Sequence, residues 1–237
     1  MSNNESNTLH VIFGTGPVGL AVMEALLTQD KDVRVVNRSG RNANIPAQVE
    51  VMTGDAINLD FARQAGAGAT HIYNALNPSY DKWLDLFPAL QNGTIASAEA
   101  NDATLIVMEN LYMYGHTHDK PMTENTPYDA HTRKGKLRAE MHQTLLNAHN
   151  AGRIRFVSGR ASDFVGPHVL DSALGDRVFK PALVGKAASI VGNADKLHTY
   201  SYVPDVGKAL VTLGAHESAL GQAWHIPSAQ AITTRAY

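Results

Sequence analysis

Leu9-His10-Val11-Ile12-Phe13 runs straight into Gly14-Thr15-Gly16-Pro17-Val18-Gly19, and that into Leu20-Ala21-Val22-Met23-Glu24-Ala25-Leu26-Leu27. The short apolar run predicts a buried parallel strand, and the apolar spacing after it predicts a helix. The spacing Gly-x-Gly-x-x-Gly falls at the junction, the context in which it carries chemistry. Gly14 permits the tight turn out of the strand, Gly16 puts no side chain in the path of a pyrophosphate, and Gly19 lets the helix lie close on the strand. With Pro17 and Val18 these glycines form a candidate phosphate cradle, because a helix N-terminus offers free N–H groups and partial positive charge.

The next strand-like run, Asp32-Val33-Arg34-Val35-Val36, ends in Asn37-Arg38-Ser39-Gly40-Arg41. A site for NAD places an acid here to bind the ribose 2′-hydroxyl. Asn37 stands in its place, followed by Arg38, Ser39 and Arg41. A guanidinium and a hydroxyl suit a 2′-phosphate, which a carboxylate would repel. The expected cofactor is therefore NADP(H), preferred over NAD(H).

Composition is that of a folded enzyme. The 237 residues suffice for one large α/β domain with a small lobe; 44% are hydrophobic and 18% charged. A formal net charge of −2 argues against nucleic acid or an anionic membrane as partner. The lack of cysteine excludes disulfides, a thiolate nucleophile and Cys-based metal sites. No apolar run approaches the ~18 residues of a membrane span. The polar start, Met1-Ser2-Asn3-Asn4-Glu5-Ser6-Asn7, has no signal-like core. A cytoplasmic protein with a small-molecule substrate is expected, with a homodimer as a candidate assembly.

Further strands and helices alternate. Strands are expected over 48–52, 70–73, 104–108 and 154–157, and helices over 57–64, 81–100 (interrupted at Pro88) and 132–150. This alternation predicts a doubly wound, mostly parallel sheet, with ligands at the carboxyl ends of its strands. Those ends carry Asp55-Ala56, with an acid able to accept from an adenine amino group, and Asn74-Ala75, small and polar beside the expected pyrophosphate. After the fifth strand comes Glu109-Asn110-Leu111-Tyr112-Met113-Tyr114-Gly115, and after the sixth Gly159-Arg160-Ala161-Ser162-Asp163-Phe164-Val165-Gly166-Pro167. Farther on, a helix over 173–183, strands over 188–191 and 197–203, a helix over 205–215 and a strand over 223–226 are expected.

From about Leu9 onward the chain resembles the extended short-chain dehydrogenase/reductases, the NAD(P)-dependent epimerase/dehydratase group. The glycine turn, Gly54-Asp55, Tyr114-Gly115, Lys136 with Glu140, Arg160 through Gly166-Pro167, and Tyr202-Val203-Pro204-Asp205-Val206 carry the likeness. It implies a Rossmann domain over residues 1–160 and a substrate-side lobe over 161–237, interleaved with the end of the sheet. The family continues with further helices, so an incomplete lobe is expected. The implied activity is NAD(P)-dependent oxidoreduction, epimerisation or dehydration at a carbonyl or hydroxyl of a small polar, sugar-like substrate.

The chain departs from that pattern where chemistry happens. The glycine turn is one residue shorter than the family's. A family member carries Tyr four residues before the lysine; here Thr132 precedes Lys136. The family's Ser or Thr before Tyr-Gly is Asn110. Lys136 is expected to hold the nicotinamide ribose and to depress the pKa of a nearby tyrosine, with Tyr112 ahead of Tyr114 and Tyr128 as proton donor. Asn110 is expected to hold the substrate oxygen. Thr132 has a hydroxyl but no usable acidity. A second reading, a non-catalytic NADP(H)-binding redox sensor, follows from the lost Tyr. His116, His118 and His131 border the expected cleft without metal-ligand spacing, so no metal is expected. Phe164, Phe179, Lys180, His198 and Tyr200 are candidate ligand-facing residues of the lobe.

Overall fold

The fold is taken from a computed structural model, which describes residues 8–117, 120–190 and 192–236. β1 (Leu9–Phe13) turns into α1 (Pro17–Leu27); then come β2 (Asp32–Asn37), β3 (Glu50–Thr53), α2 (Leu59–Ala65) and β4 (Ala69–Asn74). A 3₁₀ turn at Tyr80–Lys82 leads into α3 (Trp83–Asn101), followed by β5 (Thr104–Glu109), α4 (Arg133–Asn150) and β6 (Arg155–Arg160). The lobe holds β7 (Asp163–Val165), α5 (Asp176–Leu183), β8 (Leu197–His198) and β9 (Tyr200–Tyr202). The chain then returns through α6 (Val203–Gly214) and β10 (Ala223–His225) before ending in β11 (Ile232–Thr233).

Seven strands form one sheet in the order β10-β6-β5-β4-β1-β2-β3, every pair parallel. This is the doubly wound Rossmann arrangement. Strands buried on both faces need continuous apolar runs, and Val11, Ile12, Phe13, Leu105, Ile106 and Val107 are 0–1% exposed. One face is covered by α1 and α6, with Leu20, Val22, Leu26, Val206 and Leu210 against Ile12 and Ile106. On the other, Ile95, Ala98 and Leu145 pack with Val11, Leu105 and Phe156. Strand order reverses between β1 and β4, so the crevice opens beside Gly14 and Asn74.

The elements correct several expectations. α3 runs unbroken through Pro88. The ring removes one hydrogen bond near the helix start, and Leu84, whose carbonyl loses its partner, is an exposed residue that solvent can satisfy. β6 continues past Val157 to Arg160, because the backbone of 158–160 pairs with β5 and β10 and the Arg160 side chain finds Glu109. The helix expected from Ala173 begins at Asp176, after Gly175. No strand forms over 188–190, where the residues are exposed and no neighbouring strand pairs with them; Val191 lies outside the described residues. The run 197–203 is two short strands that pair in different directions, β8 with β11 and β9 with β7. The strand at 223–225 belongs to the main sheet, beside β6.

Candidate active site

The cradle is built from two turns that touch. Gly14, at φ +102°, takes a conformation that L side chains avoid; a Cβ there would stand 2.7 Å from the Ala75 carbonyl oxygen. The Gly14 amide donates to Val36 O and the Ala75 amide to Phe13 O, each at 2.9 Å. A Cβ on Gly19 would fall 2.0 Å from Gly14 O, so helix and turn meet only because it is absent. Gly16 differs. Its φ of −74° suits any residue, and a Cβ would meet nothing within 4 Å. No backbone strain is expected at that position, only open space before the helix. Gly16 caps α1 without a side-chain bond, so the amides of Val18 and Gly19 stay free to bind an anion. The residues therefore fit the pyrophosphate of a dinucleotide.

At the end of β2, Asn37 is committed to shape. Its Nδ2 donates to Thr15 Oγ1 and to Gly40 O, both at 3.1 Å, and its Oδ1 accepts from the Gly40 amide at 2.6 Å. It ties the glycine turn to the turn after β2. Arg41 is not available for a 2′-phosphate: its guanidinium donates to the carbonyls of Ile45, Pro46 and Val49. Arg38 and Ser39 are exposed and make no such bonds. Asp55 Oδ1 accepts from the Ile57 amide at 3.0 Å, Ala56 is buried, and Asn74 Oδ1 accepts from the Leu76 amide at 3.2 Å.

Beyond β5 a cavity of about 440 Å³ opens between the start of α3 and the entry to α4. Tyr112 and Thr132 share its lining with Tyr80, Leu84, Tyr114, Ala130, His131, Arg133 and Lys134; Asn110 and Lys136 are not among its walls. Asn110 Oδ1 accepts from the Tyr112 amide at 3.1 Å, which leaves its Nδ2 as a free donor. Thr132 is the N-cap of α4, its Oγ1 accepting from the Gly135 amide at 3.0 Å. Lys136 stands exposed one turn farther on. Tyr112 does not have the depressed pKa expected of it. Partial burial, then neighbouring Tyr80 and Asp163, push its phenol up to about 12. His116 and His131 stack at 4.5 Å on the surface, and His118 lies outside the described residues.

The sequence reading missed a buried ionic cluster behind this cavity. Glu109, Arg138, His142 and Arg160 are 1–2% exposed. Glu109 Oε2 lies 3.1 Å from Arg160 Nε and 3.0 Å from His142 Nδ1; Arg138 stands 3.9 Å from the other oxygen. Burial alone would raise the Glu109 carboxyl, but His142, Arg138 and Arg160 outweigh it and hold it at about 2. Arg160 also donates to Tyr114 Oη at 2.7 Å and to Tyr128 Oη at 2.6 Å. Tyr114 Oη thus accepts from the guanidinium and also hydrogen-bonds His225 Nε2, 2.7 Å away. Burial lowers the His225 pKa. A signal was present: Arg138 and His142 share a helical stripe with Met141 and Leu145, all buried.

In the lobe, Asp163 Oδ2 is 2.8 Å from His198 Nε2, and His198 and Tyr200 line a second cavity of about 210 Å³. Phe164 is partly buried and packs against the core under α1 and α6. Lys180 pairs with Asp176, and Phe179 is exposed.

The sequence pattern of the NAD dependent epimerase/dehydratase family matches residues 11–226. The chain belongs to this family. That membership favours an enzyme over a sensor. No curated protein matches the chain in sequence. Among solved structures, the UDP-N-acetylglucosamine 4-epimerase of Methanobrevibacter ruminantium M1, in complex with UDP-N-acetylmuramic acid, is 16% identical, with TM-score 0.81 over 97% of this chain and 79% of that one. The Bordetella bronchiseptica enzyme WbmG, in complex with NAD, is 17% identical, with TM-score 0.80 over 100% and 77%. The Thermus thermophilus UDP-glucose 4-epimerase, in complex with NAD, is 16% identical, with TM-score 0.80 over 97% and 80%. These likenesses show the shared fold. Among the described residues, no helix is long and apolar enough to cross a membrane, and no group of three or more acidic or histidine side chains is placed to hold a metal.

Proposed function

We propose that this family member uses NADP(H) to oxidise, reduce, epimerise or dehydrate a small polar, sugar-like substrate at a carbonyl or hydroxyl carbon. The observation that carries it is the open space before Gly16, flanked by the free amides of Val18 and Gly19 and by the unengaged Arg38 and Ser39. The structural neighbours solved with NAD and with a UDP-linked sugar support the cofactor and substrate classes. A cytoplasmic setting and a homodimer belong to the same reading.

Nicotinamide supplies or accepts a hydride when bound. This chain's residues do the rest. Gly16, Val18 and Gly19 hold the pyrophosphate, with Asn74 and Ala75 beside it and Asp55 and Ala56 toward the adenine. Arg38 and Ser39 take the 2′-phosphate, and Lys136 the nicotinamide ribose. Asn110 Nδ2 donates to the substrate oxygen. In the reductive direction Tyr112 donates the proton at its phenol, which a pKa of about 12 keeps protonated throughout the neutral range. Thr132 holds the helix start in place and carries no proton. Titrating the protein calorimetrically with NADP(H) and NAD(H), then assaying carbonyl compounds with NADPH, tests the reading. Failure of NADP(H) to bind, or NAD(H) binding as tightly, would overturn it.

A further inference from the structure

The cavity beside Thr132 has a lining that cofactor binding does not use. No residue of the glycine turn or of the end of β2 borders it. Its exposed lining includes two tyrosines, Tyr80 57% and Tyr112 42% exposed, beside Leu84, His131 and Thr132. Its charged walls are Arg133 and Lys134, and no carboxylate lines it. Lys134 Nζ rests 3.0 Å from the centre of the Tyr80 ring and 5.9 Å from that of Trp83. Among the described residues neither Lys134 nor Arg133 has an ion-pair partner. Of the nearby carboxylates, Asp163 pairs with His198 and Glu124 accepts from the His225 amide, each at 2.8 Å, while Asp81, Asp85 and Asp129, next in sequence to Tyr80, Leu84 and Ala130, are not among the lining residues. Behind the wall, two buried guanidiniums face one carboxylate, and Arg160 bonds directly to Tyr114, which lines the cavity. Cation excess at low polarity is an attraction for an anion. A volume of about 440 Å³ is that of a small-ligand site.

We propose that this cavity binds a small anionic substrate, with a phosphate or carboxylate held by Lys134 and Arg133 and an apolar or planar face laid on Tyr80 and Tyr112. The proposal rests on the nicotinamide-site reading and names the substrate class of that site. Lys134 is its specificity-determining residue: on binding, its ammonium exchanges the Tyr80 ring for the anion.

The test is calorimetric titration of the full chain, without nucleotide, by phenyl phosphate, benzoate and benzyl alcohol. At least one anion should bind saturably, and the neutral alcohol about tenfold or more weaker. Lys134→Met should weaken anion binding about tenfold or more, while Lys134→Arg stays within about threefold of the parent. Both variants should melt as the parent does and keep its NADPH affinity. Equal affinity for benzyl alcohol, no binding of either anion, or unimpaired binding by Lys134→Met would overturn the proposal. Because the anion series omits nucleotide, loss of the NADPH reading would appear separately, in the nucleotide titration alone.

Discussion

At Gly16 the backbone is ordinary and the space is empty, so the position separates ligand from fold. Gly16→Val should leave the circular dichroism spectrum unchanged while nucleotide binding is lost, because the branched side chain fills the room a pyrophosphate needs. Normal nucleotide affinity in a folded variant would reduce the loop to a turn. Arg38→Ala should weaken NADP(H) about tenfold more than NAD(H), since a charge-assisted contact to phosphate is worth about 1.5–3 kcal/mol. Parallel calorimetric titrations measure the difference. Tyr112→Phe should lower turnover about 10²–10⁴-fold with little change in NADPH affinity. With its phenol near 12, reductive turnover should hold steady through mildly alkaline pH, where a donor of lower pKa would already fail. The glycines were readable because each is forced by a close approach or an open space. Arg41 was not, because nothing in its local pattern announces three backbone carbonyls arriving from residues 45–49.

The elements β5, α4 and β6 converge on Glu109. Replacing it by Gln keeps the shape but leaves two buried guanidiniums without a counter-charge. Breaking a buried pair in this way costs about 3–5 kcal/mol, so the denaturant midpoint should fall substantially. An unchanged midpoint would mean that the cluster carries little of the stability. At the start of α4, Thr132→Val should cost about 1 kcal/mol through loss of its bond to the Gly135 amide, and Thr132→Ser should restore it. Alternation of strand and helix was legible because apolar runs and helical spacing mark buried strands and their crossovers. The far end of β6 was not: Ser158, Gly159 and Arg160 read as loop until their partners, tens of residues away, are in view. In the lobe, short strands depend on neighbours and not on their own residues, and the absence of a strand over 188–190 illustrates how weak propensity alone is.

Across the whole molecule, acid should act in two stages. His10 is buried against Tyr73 and stacked on His71; burial first, then His71 and Lys31, lower its pKa from 6.5 to about 4. The unfolded chain takes up that proton below about 6.5 and the folded one only near 4. Stability from the neutral ring is therefore full above 6.5 and falls as pH drops toward 4. Glu109 follows: its folded pKa near 2, against 4.5, gives stability present above 4.5 and lost as pH falls toward 2. Urea midpoints measured from pH 8 to pH 3 should show a plateau and then a decline. His10→Gln should reduce the slope between 6.5 and 4, with His71 and His225, whose pKa values burial also lowers, keeping part of it, and a midpoint constant from pH 7 to 5 would contradict the assignment.

The sheet's last strand comes late in the chain. β10 closes β6 only after the lobe and α6 have been made, through Gly221 N to Phe156 O, Ser158 N to Gln222 O and Ile226 N to Arg160 O. During synthesis, β6 therefore waits with a raw edge of unpaired backbone groups in the midst of Phe156 and Val157, side chains that are fully covered in the finished protein. Such an edge recruits other chains. A ribosome that stalls before Gly221 would release a product with its sheet unsealed, prone to aggregate although most of its core is already present.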